Sequence, residues 1–247
     1  DSIIERARAV GADLVLATDP DCDRIGFAAP QTLDRSGPWE TFTGNQISAL
    51  LCDFVLSRRE GAKELSSDHY VVTTLVTTRL LQRIADAYGV DFYGDLLVGF
   101  KWIADTIDQH DPSLFAFGTE ESHGYLVGQY ARDKDGPVAA MLAAEMAAEC
   151  KAAGRTLRQQ LENLFRRYGC HAEKTISVYK RGETGMEEML AVMDRLRGQP
   201  PAVLADMQVI GIRDYLNQTS TDMSGNSQPL DGPIGNLLIL DFQADGN

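Results

Sequence analysis

Short apolar runs alternate with amphipathic helical patterns along most of the chain. Runs of strand length occupy residues 14–17, 70–76 and 114–117. The unbroken apolar run 14–17 predicts a strand buried on both faces. Between them, residues 80–88 and 101–109 repeat apolar side chains along one helical face. Alternation on this scale predicts an α/β fold in which mixed sheets are layered with helices.

The pattern changes beyond residue 170. We predict strands at 175–179, 209–212 and 237–242 and a helix over 186–196, because apolar residues recur there with the matching periods. The segment from 217 to 236 is polar and rich in turn-forming residues, so we predict a long surface loop.

Composition excludes several classes of function. The formal net charge of −13 would repel a polyphosphate backbone, so no nucleic acid partner is expected. The longest apolar stretch, 138–148, is interrupted by Glu145, so no membrane span is expected either. Four scattered cysteines without a C-x-x-C pair favour a reducing cytoplasm. A start without methionine inside a helical pattern leads us to expect a piece of a longer protein.

Three carboxylates follow the first apolar run at alternate positions: Asp19, Asp21 and Asp23. Oxygen ligands crowded in this way suit a hard divalent cation such as Mg²⁺, which relieves their mutual repulsion. Arg24 directly follows them and adds a positive charge beside this cage. The loop is therefore a candidate metal site.

The acidic loop has three other interpretations. An EF-hand fails, because its sixth position would be Arg24 instead of Gly and its twelfth Pro30 instead of Glu. A haloacid-dehalogenase-like phosphatase would use Asp19 as nucleophile and Asp21 as acid, but Asp23 stands where that pattern has Thr or Val. A solvated acidic turn neutralised by Arg24 stays open.

A second polar loop follows the apolar run 114–117. It brackets two acids, Ser122 and His123 between Gly118 and Gly124, a set that can present hydrogen-bonding groups to a polyhydroxyl ligand. A solvated turn with His123 at the surface is the alternative. Upstream, Gly99 and Lys101 stand at a predicted helix start, which suits an anion.

Taken together and in this order, these segments resemble the α-D-phosphohexomutase family, the phosphoglucomutases and phosphomannomutases. The resemblance covers nearly the whole chain and rests on five motifs: Ala17-Thr18-Asp19-Pro20-Asp21-Cys22-Asp23-Arg24, Thr43-Gly44-Asn45-Gln46, Val98-Gly99-Phe100-Lys101-Trp102-Ile103, Gly118-Thr119-Glu120-Glu121-Ser122-His123-Gly124-Tyr125 and Asp133-Lys134-Asp135-Gly136.

The resemblance implies roles for individual residues. The three aspartates would hold Mg²⁺, and Glu120 and Ser122 would contact sugar hydroxyls, with His123 and Gly99 among the substrate-binding residues. Lys134 would be a general acid or base, and Arg24, beside the aspartate cage, would be a second catalytic group. Lys101 would lie near the substrate phosphate.

The resemblance also implies an activity and a domain division. The parent enzyme would interconvert hexose 1-phosphate and hexose 6-phosphate through a phosphoserine, with hexose 1,6-bisphosphate as intermediate or activator. Residues 1–40 would close domain II, 41–170 form domain III and 171–247 an incomplete domain IV.

The chain also departs from the family pattern. None of its serines adjoins a His-Asn-Pro run, and no R-x-S-G-T-x-P segment follows residue 242. The phosphoryl donor and the phosphate clamp are therefore missing, and we expect this chain alone to be inactive. A haloacid-dehalogenase-like phosphatase and a noncatalytic sugar-phosphate binding module are the alternative functions.

Overall fold

The structure is a computed structural model that describes residues 2–182 and 184–243. The chain divides into two compact units, Asp1–Glu173 and Lys174–Asn247, and each is described by itself.

The first unit opens with a helix followed by a small antiparallel sheet. Its elements are α1 (Ser2–Val10), β1 (Val15–Thr18), β2 (Ile25–Pro30) and β3 (Trp39–Thr41), and the strand order is β1-β2-β3. The sequence suggested that β1 is buried on both faces. That prediction is wrong: residues 15–16 are half-buried and 17–18 exposed, because β1 is an edge strand whose only pairing among the described residues is with β2.

A mixed four-stranded sheet forms the centre of the first unit. Its strands are β4 (Tyr70–Thr74), β5 (Asp91–Leu96), β6 (Phe115–Glu120) and β7 (Gly124–Leu126), in the order β5-β4-β6-β7. Strand β4 is parallel to both β5 and β6, whereas β6 and β7 form an antiparallel hairpin. The predicted class, an α/β fold with mixed sheets and helices, is confirmed.

Helices cover both faces of this sheet. They are α2 (Gly44–Ala62), α3 (Leu80–Tyr88), α4 (Phe100–Gln109), α5 (Gly136–Ala152) and α6 (Leu157–Tyr168), with a 3-10 turn at Pro112–Leu114. Side chains of β4 alternate between the two faces: Val71 packs in the core that contains α2, α3, α5 and α6, whereas Tyr70 and Val72 pack against α4. The alternation accounts for the fully buried apolar run seen in the sequence.

Local signals fix the ends of several of these helices. The hydroxyls of Thr43 and Thr156 each accept a hydrogen bond from the backbone three residues on, in capping boxes that begin α2 and α6. Asp135 caps α5, and Gly89 ends α3 with a left-handed φ of 68°. Capping therefore places two of the sequence motifs, Thr43-Gly44-Asn45-Gln46 and Asp133-Lys134-Asp135-Gly136, at helix N-termini.

The second unit is mainly antiparallel sheet. It contains α7 (Gly185–Gly198), β8 (Val203–Leu204), β9 (Met207–Asp214), β10 (Thr219–Asp222), β11 (Ser227–Pro229) and β12 (Leu238–Phe242), with the order β11-β10-β9-β12 and β8 paired to β9.

Two predictions for this region are wrong. Residues 175–179 form no strand: they are exposed, and no described strand pairs with them. The segment 217–236 is not one loop, because β10 and β11 form a hairpin within it. Both errors concern partner strands, which local composition does not specify.

None of the helices in the described parts of the chain combines the length and apolarity needed to cross a membrane.

Candidate functional site

The acidic loop connects the antiparallel strands β1 and β2. Asp19, Asp21 and Asp23 each offer a carboxylate oxygen, and these oxygens lie within 4.8 Å of one another. Cys22, between the last two, adopts a left-handed φ of 61°, and its N–H donates to the Asp19 carbonyl at 3.1 Å. This tight turn brings the three side chains together.

Backbone contacts keep the first aspartate ionised. The Arg24 N–H donates to Asp19 Oδ1 at 3.0 Å and holds the pKa of that carboxyl below its usual value. The donor set is all oxygen and all anionic, which is the chemistry that Mg²⁺ selects. The residues present therefore fit a hard divalent cation.

Lys134 reaches the acidic loop from the segment that precedes α5. Its Nζ lies 3.2 Å from Asp23 Oδ2 and 2.7 Å from Asp133 Oδ1, and only 10% of the side chain is exposed. Burial lowers the pKa of the Lys134 amine, but the hydrogen bonds to the two carboxylates outweigh burial and the net direction is upward. The Phe100 ring lies 5.2 Å below the ammonium group.

The loop 118–124 is joined to the acidic loop by backbone contacts. Arg24 and Gly124 form an antiparallel bridge, and the Ile25 N–H donates to the His123 carbonyl at 3.1 Å. The loop is the end of β6, the turn 121–123 and the start of β7. The candidate sugar loop and the candidate metal loop are therefore neighbours.

Glu120 ends β6 and is almost enclosed, with 3% exposure. Its Oε1 accepts the Gly99 N–H at 2.8 Å, at the start of α4, where Gly99 has a φ of 125° that other residues rarely adopt. Burial raises the pKa of the Glu120 carboxyl, while the Gly99 N–H and Lys134 act in the opposite direction. Because Glu120 takes the Gly99 N–H, Gly99 contributes to the site by holding Glu120.

The other two polar residues of the loop differ in their surroundings. The Ser122 side chain is half-buried and forms no hydrogen bond with any described residue. His123 has a left-handed φ of 70°, and its Nδ1 lies 3.2 Å from the Ile25 carbonyl. Burial lowers the pKa of the His123 imidazole. Ser122 is available to a ligand, whereas the His123 ring packs against strand β2.

The remaining two predicted cations are exposed. Arg24 is exposed beside the acidic loop, and its side chain forms no salt bridge within the described ranges. Lys101 is exposed in the first turn of α4, and its Nζ lies 4.9 Å from the centre of the Trp102 ring. Either side chain is free to meet an anion from solvent.

The structure also brings in residues that the sequence analysis did not single out. Thr74 ends strand β4 and Thr77 follows it; both are buried, and the Thr77 hydroxyl donates to Glu121 Oε2 at 3.2 Å. The Thr78 N–H donates to Asn45 Oδ1 at 3.1 Å, at the start of α2. Their only sequence signal is the run of threonines at the end of an apolar strand.

The part of the chain that carries most of this site matches a known protein family. A sequence model of "Phosphoglucomutase/phosphomannomutase, alpha/beta/alpha domain III" matches residues 43–168, slightly more than half of the chain. The chain belongs to the phosphoglucomutase/phosphomannomutase family. This family assignment confirms the resemblance found in the sequence motifs.

Curated relatives extend the likeness beyond the matched domain. A phosphoglucomutase of Staphylococcus aureus (strain MRSA252) is 32% identical over 247 residues, and one of Staphylococcus epidermidis is 33% identical over 244 residues. Each alignment covers 98% of this chain and 43% of the relative. The chain thus spans less than half the length of the phosphoglucomutases that it matches.

Solved structures share the fold. A phosphoglucomutase/phosphomannomutase family protein from Burkholderia thailandensis aligns with a TM-score of 0.57 at 17% identity, over 84% of this chain and 39% of its own. A phosphoglucomutase from Paramecium aligns with a TM-score of 0.52 at 14% identity, over 85% of this chain and 35% of its own. Neither alternative function, the phosphatase or the noncatalytic binding module, receives support from these comparisons.

Proposed function

We propose that this chain is part of a phosphosugar mutase that interconverts hexose 1-phosphate and hexose 6-phosphate through a phosphoserine and a hexose 1,6-bisphosphate. The observation that carries the proposal is the meeting of three motif segments. Lys134 contacts the metal-type carboxylate of Asp23, and the Arg24–Gly124 bridge joins the acidic loop to the loop that carries Ser122. Phosphoryl transfer needs this combination of charge neutralisation and positioning.

The metal part of the proposal assigns Asp19, Asp21 and Asp23 as ligands of Mg²⁺. When bound, Mg²⁺ supplies charge neutralisation to the oxygens of the transferring phosphoryl group. The carboxylates are exposed or half-buried, so the ion has access from solvent. We further propose that the phosphoryl donor lies outside residues 1–247, because no serine here has the family's His-Asn-Pro context.

The chain's own residues would divide the remaining work. Lys134 holds its ammonium group against Asp23, where it can exchange a proton with a sugar hydroxyl and stabilise phosphoryl charge. The exposed guanidinium of Arg24 would add a second positive charge. Lys101 would meet the distal phosphate, and Ser122, Glu120 and the neighbouring His123 would orient the sugar. During turnover the sugar hydroxyl oxygen would bond to phosphorus while the bond between phosphorus and the serine oxygen breaks. The hydroxyl proton would pass to the general base, and the departing serine oxygen would take up a proton from the general acid.

The domain assignment is also part of the proposal. We assign residues 1–40 to the end of domain II, 41–170 to domain III and 171–247 to an incomplete domain IV. The boundary between the two compact units, at 173–174, supports the proposed boundary between domains III and IV, because it lies three residues from the predicted position at 170–171.

The sugar assignment is tested in the full-length enzyme. Loss of a hydrogen bond from a charged acceptor is worth about 1.5–3 kcal/mol, so Glu120→Gln should lower kcat/KM by about ten- to a hundredfold, and Ser122→Ala by less. Both hexose 1-phosphate and hexose 6-phosphate should be affected. Glu64→Gln and Ser67→Ala, at exposed positions before β4, are the matched controls. Wild-type kcat/KM in both site variants would refute the sugar assignment.

The metal assignment is tested on the 247-residue chain. We expect weak Mn²⁺ binding at millimolar concentration, measured by water proton relaxation, and its loss when Asp19, Asp21 and Asp23 are all changed to Asn. The control carries the same charge change at the exposed residues Asp68, Asp86 and Asp105. Equal relaxation enhancement by both triple variants would mean that the loop is a solvated acidic turn.

A further inference from the structure

The two adjacent acids of the loop 118–124 are held by different parts of the first unit. Glu120 accepts a hydrogen bond from the Gly99 N–H at the start of α4. Glu121 instead accepts the Thr77 hydroxyl at 3.2 Å, with Thr74 Oγ1 at a longer 3.5 Å. Neighbouring side chains of the same type therefore have different partners, and of these two acids only Glu120 carries a proposed sugar contact.

The partners of Glu121 form a rigid anchor. Thr74 and Thr77 have 1% and 3% exposure, and their hydroxyl oxygens lie 2.8 Å apart. Because both side chains are β-branched and enclosed, neither can follow the carboxylate if the loop moves. A hydroxyl-to-carboxylate bond in such surroundings is stronger than one between neutral groups.

A second set of bonds fixes the two ends of the loop. The Thr119 hydroxyl donates to the Gly124 carbonyl at 2.9 Å and lies 2.8 Å from Ser48 Oγ, while Thr73 donates to the Thr119 carbonyl at 2.8 Å. These contacts hold residues 119 and 124. Within the turn 121–123, His123 bonds to strand β2 through its ring and its carbonyl, and the Glu121 carboxylate ties the start of the turn to the buried hydroxyl of Thr77.

We propose that Glu121 is a positioning residue: its bond to Thr77 fixes the turn 121–123 and thereby the orientation of Ser122 and Glu120 toward the sugar. The inference rests on the proposed function. Nothing in it requires Glu121 to touch the substrate. An amide in its place can still accept the Thr77 hydroxyl through its oxygen, whereas a methyl group cannot.

The kinetic test compares four variants of the full-length enzyme with hexose 1-phosphate. Glu121→Ala and Thr77→Val should each lower kcat/KM by about ten- to a hundredfold, and the double variant should be no worse than Glu121→Ala, because both remove one interaction. Glu121→Gln should recover activity to within about threefold of wild type. Thr106→Val, which removes a buried hydroxyl bonded to the Trp102 carbonyl, is the matched control with wild-type kinetics.

Amide hydrogen exchange on the 247-residue chain separates this inference from the proposed function. Glu121→Ala should speed exchange of the Ile25 N–H, which donates to the His123 carbonyl of the turn, by about tenfold, with unchanged exchange in β4. If the wild-type enzyme turns over no sugar phosphate, the proposed function fails. The exchange rates of the 247-residue chain still show whether Glu121 holds the turn. Unchanged exchange in Glu121→Ala, or a Glu121→Gln variant as inactive as Glu121→Ala, would overturn the positioning role.

Discussion

The contact between helix α2 and the candidate sugar loop can be tested with a single methyl group. Gly44 is the first residue of α2, and a Cβ built there would lie 1.8 Å from the Glu121 carbonyl oxygen and 3.1 Å from the His123 nitrogen. Ordinary contacts begin at 3.4 Å, so the loop backbone would have to move by about 1.6 Å. A backbone carbonyl cannot rotate out of the way as a flexible side chain can.

Gly61 offers a matched control in the same helix. A Cβ at Gly61 meets nothing within 4 Å, so Gly61→Ala should follow helix propensity and gain about 0.5–1 kcal/mol of unfolding free energy. At Gly44 the same change meets a fixed backbone, and overpacking of this kind costs about 1–3 kcal/mol. We expect the two alanine variants to differ by about 2–4 kcal/mol, with opposite signs relative to wild type.

Urea unfolding followed by tryptophan fluorescence measures this difference. Both tryptophans of the chain, Trp39 and Trp102, lie in the unit that ends at Glu173, so the signal reports the unit that contains the contact. With a urea slope of about 2–3 kcal/mol/M, the Gly44→Ala midpoint should fall by about 0.3–1.5 M and the Gly61→Ala midpoint should rise slightly. Equal midpoints for the two variants would show that α2 and the loop do not approach as described.

Two further predictions concern buried groups away from the loops. Asp53 is buried and accepts hydrogen bonds from two tyrosine hydroxyls, Tyr88 at 3.2 Å and Tyr168 at 2.8 Å, and burial raises its pKa despite them. The native state therefore holds the Asp53 proton more tightly than the unfolded state does, and the free energy of unfolding should fall as pH rises from about 4 through the native pKa. The urea midpoint of Asp53→Asn should fall less than that of the wild type over the same pH range. Parallel midpoint curves for the two proteins would contradict the prediction. Of the four free thiols, only Cys22 and Cys170 are exposed. Ellman's reagent should therefore modify two thiols rapidly in the native chain and all four in denaturant. Rapid reaction of a third thiol in the native chain would contradict the burial of Cys52 and Cys150.

Much of the first unit's architecture could be predicted from local patterns. Strand β4 and helix α3 were expected at nearly their observed bounds, because an apolar run, one apolar helical face and the glycine at 89 all agree. Helix α2 was not predicted. Its residues 47–56 are all buried, so it lacks the polar face from which a helical period is recognised.

Features that depend on residues far apart in the sequence were predicted wrongly or were not predicted. The apolar run of β1 suggested a doubly buried strand, but burial depends on which strands and helices lie beside it, and β1 lies at a sheet edge. The pairing of Thr77 with Glu121 joins residues 44 positions apart. The sequence shows a threonine and a glutamate at these positions, but no local pattern indicates that the two side chains meet.

The motif glycines give a physical reason why four of the five separate segments can form one candidate site. Besides Gly44, a Cβ at Gly136 would lie 2.5 Å from the Cys22 carbonyl oxygen, and one at Gly124 would lie 2.3 Å from the Lys134 side chain. Each glycine therefore marks a point where the backbone of one motif contacts another motif. The motifs can approach one another because these three positions have no side chain. The glycines therefore matter to the site as much as the charged residues of the same motifs do. The proposed phosphoryl transfer depends on positioning, and these contacts fix the distances between the metal loop, the lysine and the sugar loop.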